Sequence, residues 1–132
     1  MDYFIRPWLK DFKWDIVVEL NRQRCEQSNA LHKPTSDGYQ TAKKTWEGSC
    51  QKIQDFREAV ELCRECHRLA PFCNFNGNTF AEIAKVTGRD IYLRLNRALA
   101  KQFQSAVGHY VVGVLGEDEF RTIYNTVRAT VI

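Results

Sequence analysis

Between positions 39 and 67 the residues Tyr39, Ala42, Trp46, Cys50, Ile53, Phe56, Val60, Cys63 and His67 recur at steps of three or four. That period lays them along one face of an α-helix, whereas a strand, whose faces alternate every second residue, scatters them. The same period returns elsewhere. Leu9, Phe12, Ile16 and Leu20, widened by Trp14, Val17, Val18 and Cys25, predict a helix from Asp11 to about Gln27, with Asp11 as its N-cap. Ile91, Leu95, Leu99, Phe103, Val107, Tyr110, Val111 and Val114 predict another from Asp90 to Gly113 or beyond. Phe120, Ile123, Tyr124, Val127 and Val131 predict a last one, opened by Glu117-Asp118-Glu119, whose charges suit a helix N-terminus.

Punctuation fits this pattern. Residues 28–38 form the main loop, and Asp37 with Gln40 predicts a capping box opening a helix that runs to about Leu69. Gly48 interrupts that helix at a cost of about 1 kcal/mol relative to alanine, so a bend or break is expected there. Pro71 and the turn Asn74-Phe75-Asn76-Gly77-Asn78 follow, then a second capping box, Thr79 with Glu82, and a short helix ended by Gly88. Tyr3, Phe4, Pro7 and Trp8 predict an extended aromatic arm. The expected fold is all-α, a compact four- to five-helix bundle with an N-terminal aromatic arm in one domain, 1–132.

Composition narrows the function classes. Hydrophobic residues at 44% and charged residues at 27% are those of a folded globule, and a net charge of +3 neither demands nor excludes nucleic acid. The apolar runs are too short to span a bilayer, and the N-terminus lacks a secretory leader, so no membrane partner and a cytoplasmic location are expected. In that reducing compartment five cysteines read as free thiols or metal ligands.

The densest chemistry is Cys63-Arg64-Glu65-Cys66-His67 with Cys73 beyond it. On a helix, Cys63, Cys66 and His67 fall at i, i+3 and i+4, and Cys73 can fold back toward them, a donor set suited to zinc. The string Cys-x-x-Cys-His also resembles the attachment motif of c-type cytochromes, which implies export and an axial partner, and the leader for export is lacking. A thioredoxin-like role expects the pair at a helix N-terminus, whereas here it lies near a C-terminus, which raises a thiol pKa. Packing is the reading preferred for these cysteines, because Cys63 and His67 share the stripe of Trp46, Phe56 and Val60.

Two other features carry candidate sites. Arg94, Arg97 and Lys101 are spaced i, i+3, i+7 behind Arg89, and Thr79–Gly88 resembles the first helix and turn of a helix-turn-helix unit, which implies a nucleic-acid contact. A solvated helix face accounts for the same spacing. Eight Phe, five Tyr and three Trp are a generous aromatic share. Tyr3, Phe4 and Trp8 in the arm, with Phe72 and Phe75 in the turn, form a candidate protein interface.

No phosphate-binding glycine loop, nucleophile elbow or zinc-protease motif occurs in the chain. The leading expectation is a non-catalytic module that binds another protein or itself. The alternatives are a metal or thiol sensor at Cys63/Cys66/His67/Cys73 and a nucleic-acid binder at Arg89/Arg94/Arg97/Lys101.

Overall fold

A computed structural model describes residues 2–131. In chain order the elements are β1 (Ile5–Arg6), α1 (Trp14–Gln27), α2 (Tyr39–Glu47), β2 (Gln54–Asp55), α3 (Phe56–Leu69), α4 (Asn76–Thr87), α5 (Arg89–Tyr92), α6 (Arg97–Val111) and α7 (Glu117–Val131). The fold is all-α apart from the two-residue strands, which pair antiparallel with Ile5 opposite Asp55 and Arg6 opposite Gln54.

Seven helices stand among the described residues where four or five were expected, because two long periodic stretches are each cut by a capping residue. The stripe from Tyr39 to His67 is not one helix. α2 ends at Gly48, the chain loops out with Ile53 71% exposed, and Asp55 restarts it. Asp55 accepts from the Arg57 amide at 2.9 Å while Glu58 accepts from the Asp55 amide at 3.2 Å, so the capping box lies here. The expected box at Asp37 and Gln40 is replaced by Gly38 in the N-cap position without a side-chain cap. A Cβ at Gly38 would sit 1.9 Å from the Leu69 carbonyl oxygen, so only glycine permits α2 to approach the end of α3 this closely.

The stretch from Asp90 is cut in the same way. α5 stops after Tyr92, and Asn96 accepts from the Leu99 amide at 2.9 Å to begin α6. α1 starts at Trp14 rather than Asp11 and buries Trp14, Val17, Asn21 and Cys25, which leaves Ile16 41% exposed. α4 starts at Asn76, three residues before the expected cap. Thr79 is a buried helix residue whose hydroxyl donates to the Phe75 carbonyl.

α3 is the central element. It buries Phe56, Ala59, Val60, Leu62, Cys63 and Cys66 and packs against α2, α4 and α6, while α7 closes on α6. One continuous cluster joins these residues to Trp46, Phe80, Phe103, Tyr110 and Phe120. Tyr110 and Phe120 stack with centroids 4.3 Å apart, which seats α7 on α6.

The arm belongs to the same core. Phe4 is fully buried, edge-on to Tyr124 at 5.7 Å, and its carbonyl accepts from both Phe56 N and Trp8 Nε1. Arg128 of α7 pairs with Asp2 and, at 2.8 Å, with Asp55, whose other oxygen takes the Tyr124 hydroxyl. Asp55→Ala removes a helix cap and the partners of Tyr124 and Arg128 together, and is expected to cost about 2–4 kcal/mol in chemical denaturation. Asp55→Asn keeps the capping oxygen and should cost about half as much. Equal losses would show that charge, not capping, carries the site.

Candidate functional site

Each expected cluster meets a different fate. Cys63 and Cys66 point from α3 into the core and are fully buried. Burial, with Cys66 alongside, pushes the Cys63 thiol well above its ordinary value. Burial and then the nearby Glu65 push Cys66 up to about 12. Cys66 Sγ lies 3.7 Å from the Ala42 carbonyl oxygen, to which it donates. Thiols held protonated this firmly are poor nucleophiles and poor metal ligands. His67 is half-buried on the same helix end, and its Nδ1 has no hydrogen-bond partner among the described residues. Its ring lies against the first turn of α4, where a Cβ on Gly77 would stand 3.5 Å from Cε1. Cys73 is exposed in the turn before α4. Among the described residues no three His, Cys, Asp or Glu side chains converge as metal ligands, so these four do not form the expected zinc set.

The aromatic group divides. Phe4 and Phe72 are core residues, not surface. Phe72 stacks on Trp14 at 6.0 Å and is held by Asn76, which accepts from its amide and donates to its carbonyl. Trp8 is half-buried against Phe56. Phe75, in left-handed backbone with φ 60°, lies under the Arg24 guanidinium at 5.2 Å. Tyr3, like Trp8 and Phe75, is half-buried.

The basic stripe does not form as one stripe. With the helix broken at 93–96, Arg94 lies in the turn, Arg97 opens α6 and Lys101 follows one turn on. The second helix of the expected helix-turn-helix unit is α5, only four residues long, too short to enter a groove as a recognition helix. All four basic residues are exposed, but Arg94 has a specific contact: its guanidinium carbon lies 4.0 Å from the Tyr3 ring centroid.

At that point the fold assembles a site that none of the expected clusters contained as a set. Arg6 sits 3.9 Å from the same Tyr3 ring and 5.5 Å from Trp8, and its Nε donates to the Tyr3 carbonyl at 3.0 Å. Two guanidiniums are thus fixed against one phenol. Ion pairs among the described residues engage Arg22, Arg68, Lys85, Arg121 and Arg128, and neither Arg6 nor Arg94. Beside them Leu93 stands 76% exposed, and Asp90 completes a recess of about 360 Å³. Arg6 and Leu93 escaped sequence reasoning because the contact joins positions ninety apart in the chain. The local hint was a basic residue, Arg6, set between the aromatics Tyr3 and Trp8.

A second polar cleft lies between α3 and α6, where the Tyr110 hydroxyl donates to Glu61 and Arg64 stacks on the Tyr110 ring at 4.5 Å. Burial, and then the bond to Glu61, hold the Tyr110 hydroxyl up to about 12, so it stays protonated and is no general base near neutrality. No protein-family model, curated protein or solved structure matches this chain.

Two outcomes test this description. In the native protein at neutral pH only Cys73 should react promptly with a thiol reagent, and all five cysteines should react after unfolding. Prompt reaction of Cys63 or Cys66 would overturn the packing assignment. Desolvation lowers the His67 pKa, so the unfolded chain binds a proton there more readily than the folded one. The stability this residue contributes is present above its unfolded pKa of about 6.5 and is lost as pH falls through the lower folded value. His67→Gln should flatten the melting-temperature profile in that window, and an unchanged slope would assign the loss to other groups.

Proposed function

We propose that the protein is a non-catalytic binding module that docks an acidic segment of a partner protein on the face formed by Tyr3, Arg6, Leu93 and Arg94. The observation that supports this is the pair of guanidiniums with no ion-pair partner among the described residues, held on one ring beside a 76% exposed leucine. Bringing two like charges together costs energy that an arriving anion recovers. Guanidiniums present planar forks that match carboxylates bidentately. Stacking on Tyr3 orders them beforehand, so less side-chain entropy is lost on binding. Leu93 adds apolar area, about 1.5–3 kcal/mol if fully covered, which suits a partner offering an apolar residue among acids.

Self-association through this face would set arginines against arginines, so the partner is a different chain. Phosphates answer the same charges, but Leu93 has no counterpart on a nucleic-acid backbone.

A labelled peptide rich in glutamate and leucine should bind in fluorescence anisotropy, with affinity falling as salt rises. Leu93→Asp, and Arg6→Ala with Arg94→Ala, should each weaken it tenfold or more, about 1.4 kcal/mol. Binding that survives both variants, or single-stranded DNA of equal length binding as tightly through the same residues, would refute the assignment.

A further inference from the structure

We infer that the cleft between α3 and α6 binds a free α-amino acid, whose ammonium group pairs with Glu61 and whose carboxylate pairs with Arg64. The inference uses no residue of the docking face and is independent of it.

Its basis is a set of charges that fail to pair. On α3, Arg57 and Glu61 are spaced i, i+4, and Glu61 and Arg64 are spaced i, i+3. Such spacing brings opposite charges together on a helix surface. On the same helix Glu65 and Arg68 do close, at 3.3 Å, and at the cleft's edge Glu117 closes with Arg121 at 3.1 Å. Among the described residues no ion pair engages Arg57, Glu58, Glu61 or Arg64. Two carboxylates and two guanidiniums thus line one cleft unpaired, and their charges balance.

Tyr110 holds the central two. Its ring is fully buried, its hydroxyl donates to Glu61 and accepts from Arg64 Nη1 at 3.4 Å, and the Arg64 guanidinium carbon lies 4.5 Å from its centroid. Glu61 and Arg64 are therefore fixed to one rigid side chain, just past ion-pair reach of each other. Both keep bonding capacity in reserve. Glu61 uses one carboxylate oxygen. Arg64 makes that single long hydrogen bond, and its Nε has no partner among the described residues. A half-buried guanidinium with five donors is rarely left so little engaged. In the same lining Gln54, only 8% exposed, donates its Nε2 to the Ser49 carbonyl at 3.2 Å, which leaves its Oε1 to accept.

The charges select the ligand. A simple anion entering here meets Glu58 and Glu61, and a simple cation meets Arg57 and Arg64. A molecule with both signs a few ångström apart satisfies both sets. An α-amino acid carries its ammonium and carboxylate on one carbon, at the separation that bridges Glu61 to Arg64. Its carboxylate matches the guanidinium fork, and its ammonium brings three donors to a site whose free acceptors are carboxylate oxygens and the Gln54 carbonyl. The cleft, about 560 Å³, leaves room for a side chain beyond the two charged groups.

The test titrates each standard L-amino acid into native ¹⁵N-labelled protein and follows the backbone amides by NMR. At least one should shift the α3 amides around Glu61 saturably, at millimolar concentration or below. The N-acetyl derivative of that amino acid, which lacks the ammonium, and its carboxamide, which lacks the carboxylate, should each bind at least tenfold more weakly. These derivatives test both charges without touching the fold. Glu61→Gln, which keeps an acceptor for Tyr110, and Arg64→Gln should each weaken binding tenfold or more. No saturable shift from any amino acid, shifts confined to the Tyr3 face, derivatives that bind as tightly as the parent, or binding unchanged by either variant would each overturn the inference.

Discussion

Asp55 stands where three parts of the chain must agree. One carboxylate caps α3, receives the Tyr124 hydroxyl and pairs with Arg128, while its backbone lies opposite Ile5 in the short sheet. Arg128 reaches on to Asp2. The first turn of the central helix, the N-terminal arm and the last helix are thus referenced to one side chain, and Phe4 is carried into the core between them. Were α3 to start one residue earlier or later, the carboxylate would lose its cap and Phe4 its place. The remaining helices pack outward from α3, so its start sets the frame for them.

Much of the architecture was legible because helical burial repeats every three or four residues. Trp46, Phe56, Val60, Cys63, Phe103, Tyr110, Phe120 and Tyr124 are buried as their periods predicted. What periodicity could not reveal is that a stripe stays in phase across a break. Ile53 fits the stripe and stands exposed, because the chain leaves the helix to pair Gln54 and Asp55 with the arm. Asp55 and Asn96 are ordinary capping residues, yet each lay inside a run that looked continuous. Asn21 is the opposite case, a polar residue on a buried face, justified by partners 11, 53 and 58 positions away as well as by Cys25 one turn on.

The candidate sites show the same limit. Tyr3 and Arg94 were each singled out in the sequence, one as an interface aromatic and one as a base on a stripe, and nothing local connects them. Phe4 and Phe72 looked surplus only because a bundle of four or five helices has too little interior for them. Seven shorter helices with an inserted arm enclose both. The Cys63–Cys66 spacing describes two adjacent inward positions on α3, and desolvation silences the chemistry that the residue types suggest.

The link from Arg128 to Asp2 has a thermodynamic reach beyond the core. Tyr3 follows Asp2 directly, so the ring on which we propose docking is carried by the segment that Arg128 ties down. The arm is held by Phe4 and Leu9 in the core, by Trp8 against Phe56 and by the Arg128–Asp2 pair, and any local opening of it must release these contacts. Each opening disperses the two guanidiniums that Tyr3 gathers. For the proposed acidic partner, the apparent dissociation constant would be the intrinsic one divided by the fraction of molecules with the arm closed. Under that proposal the Arg128–Asp2 pair, itself outside the docking face, sets how much of the population is competent to bind.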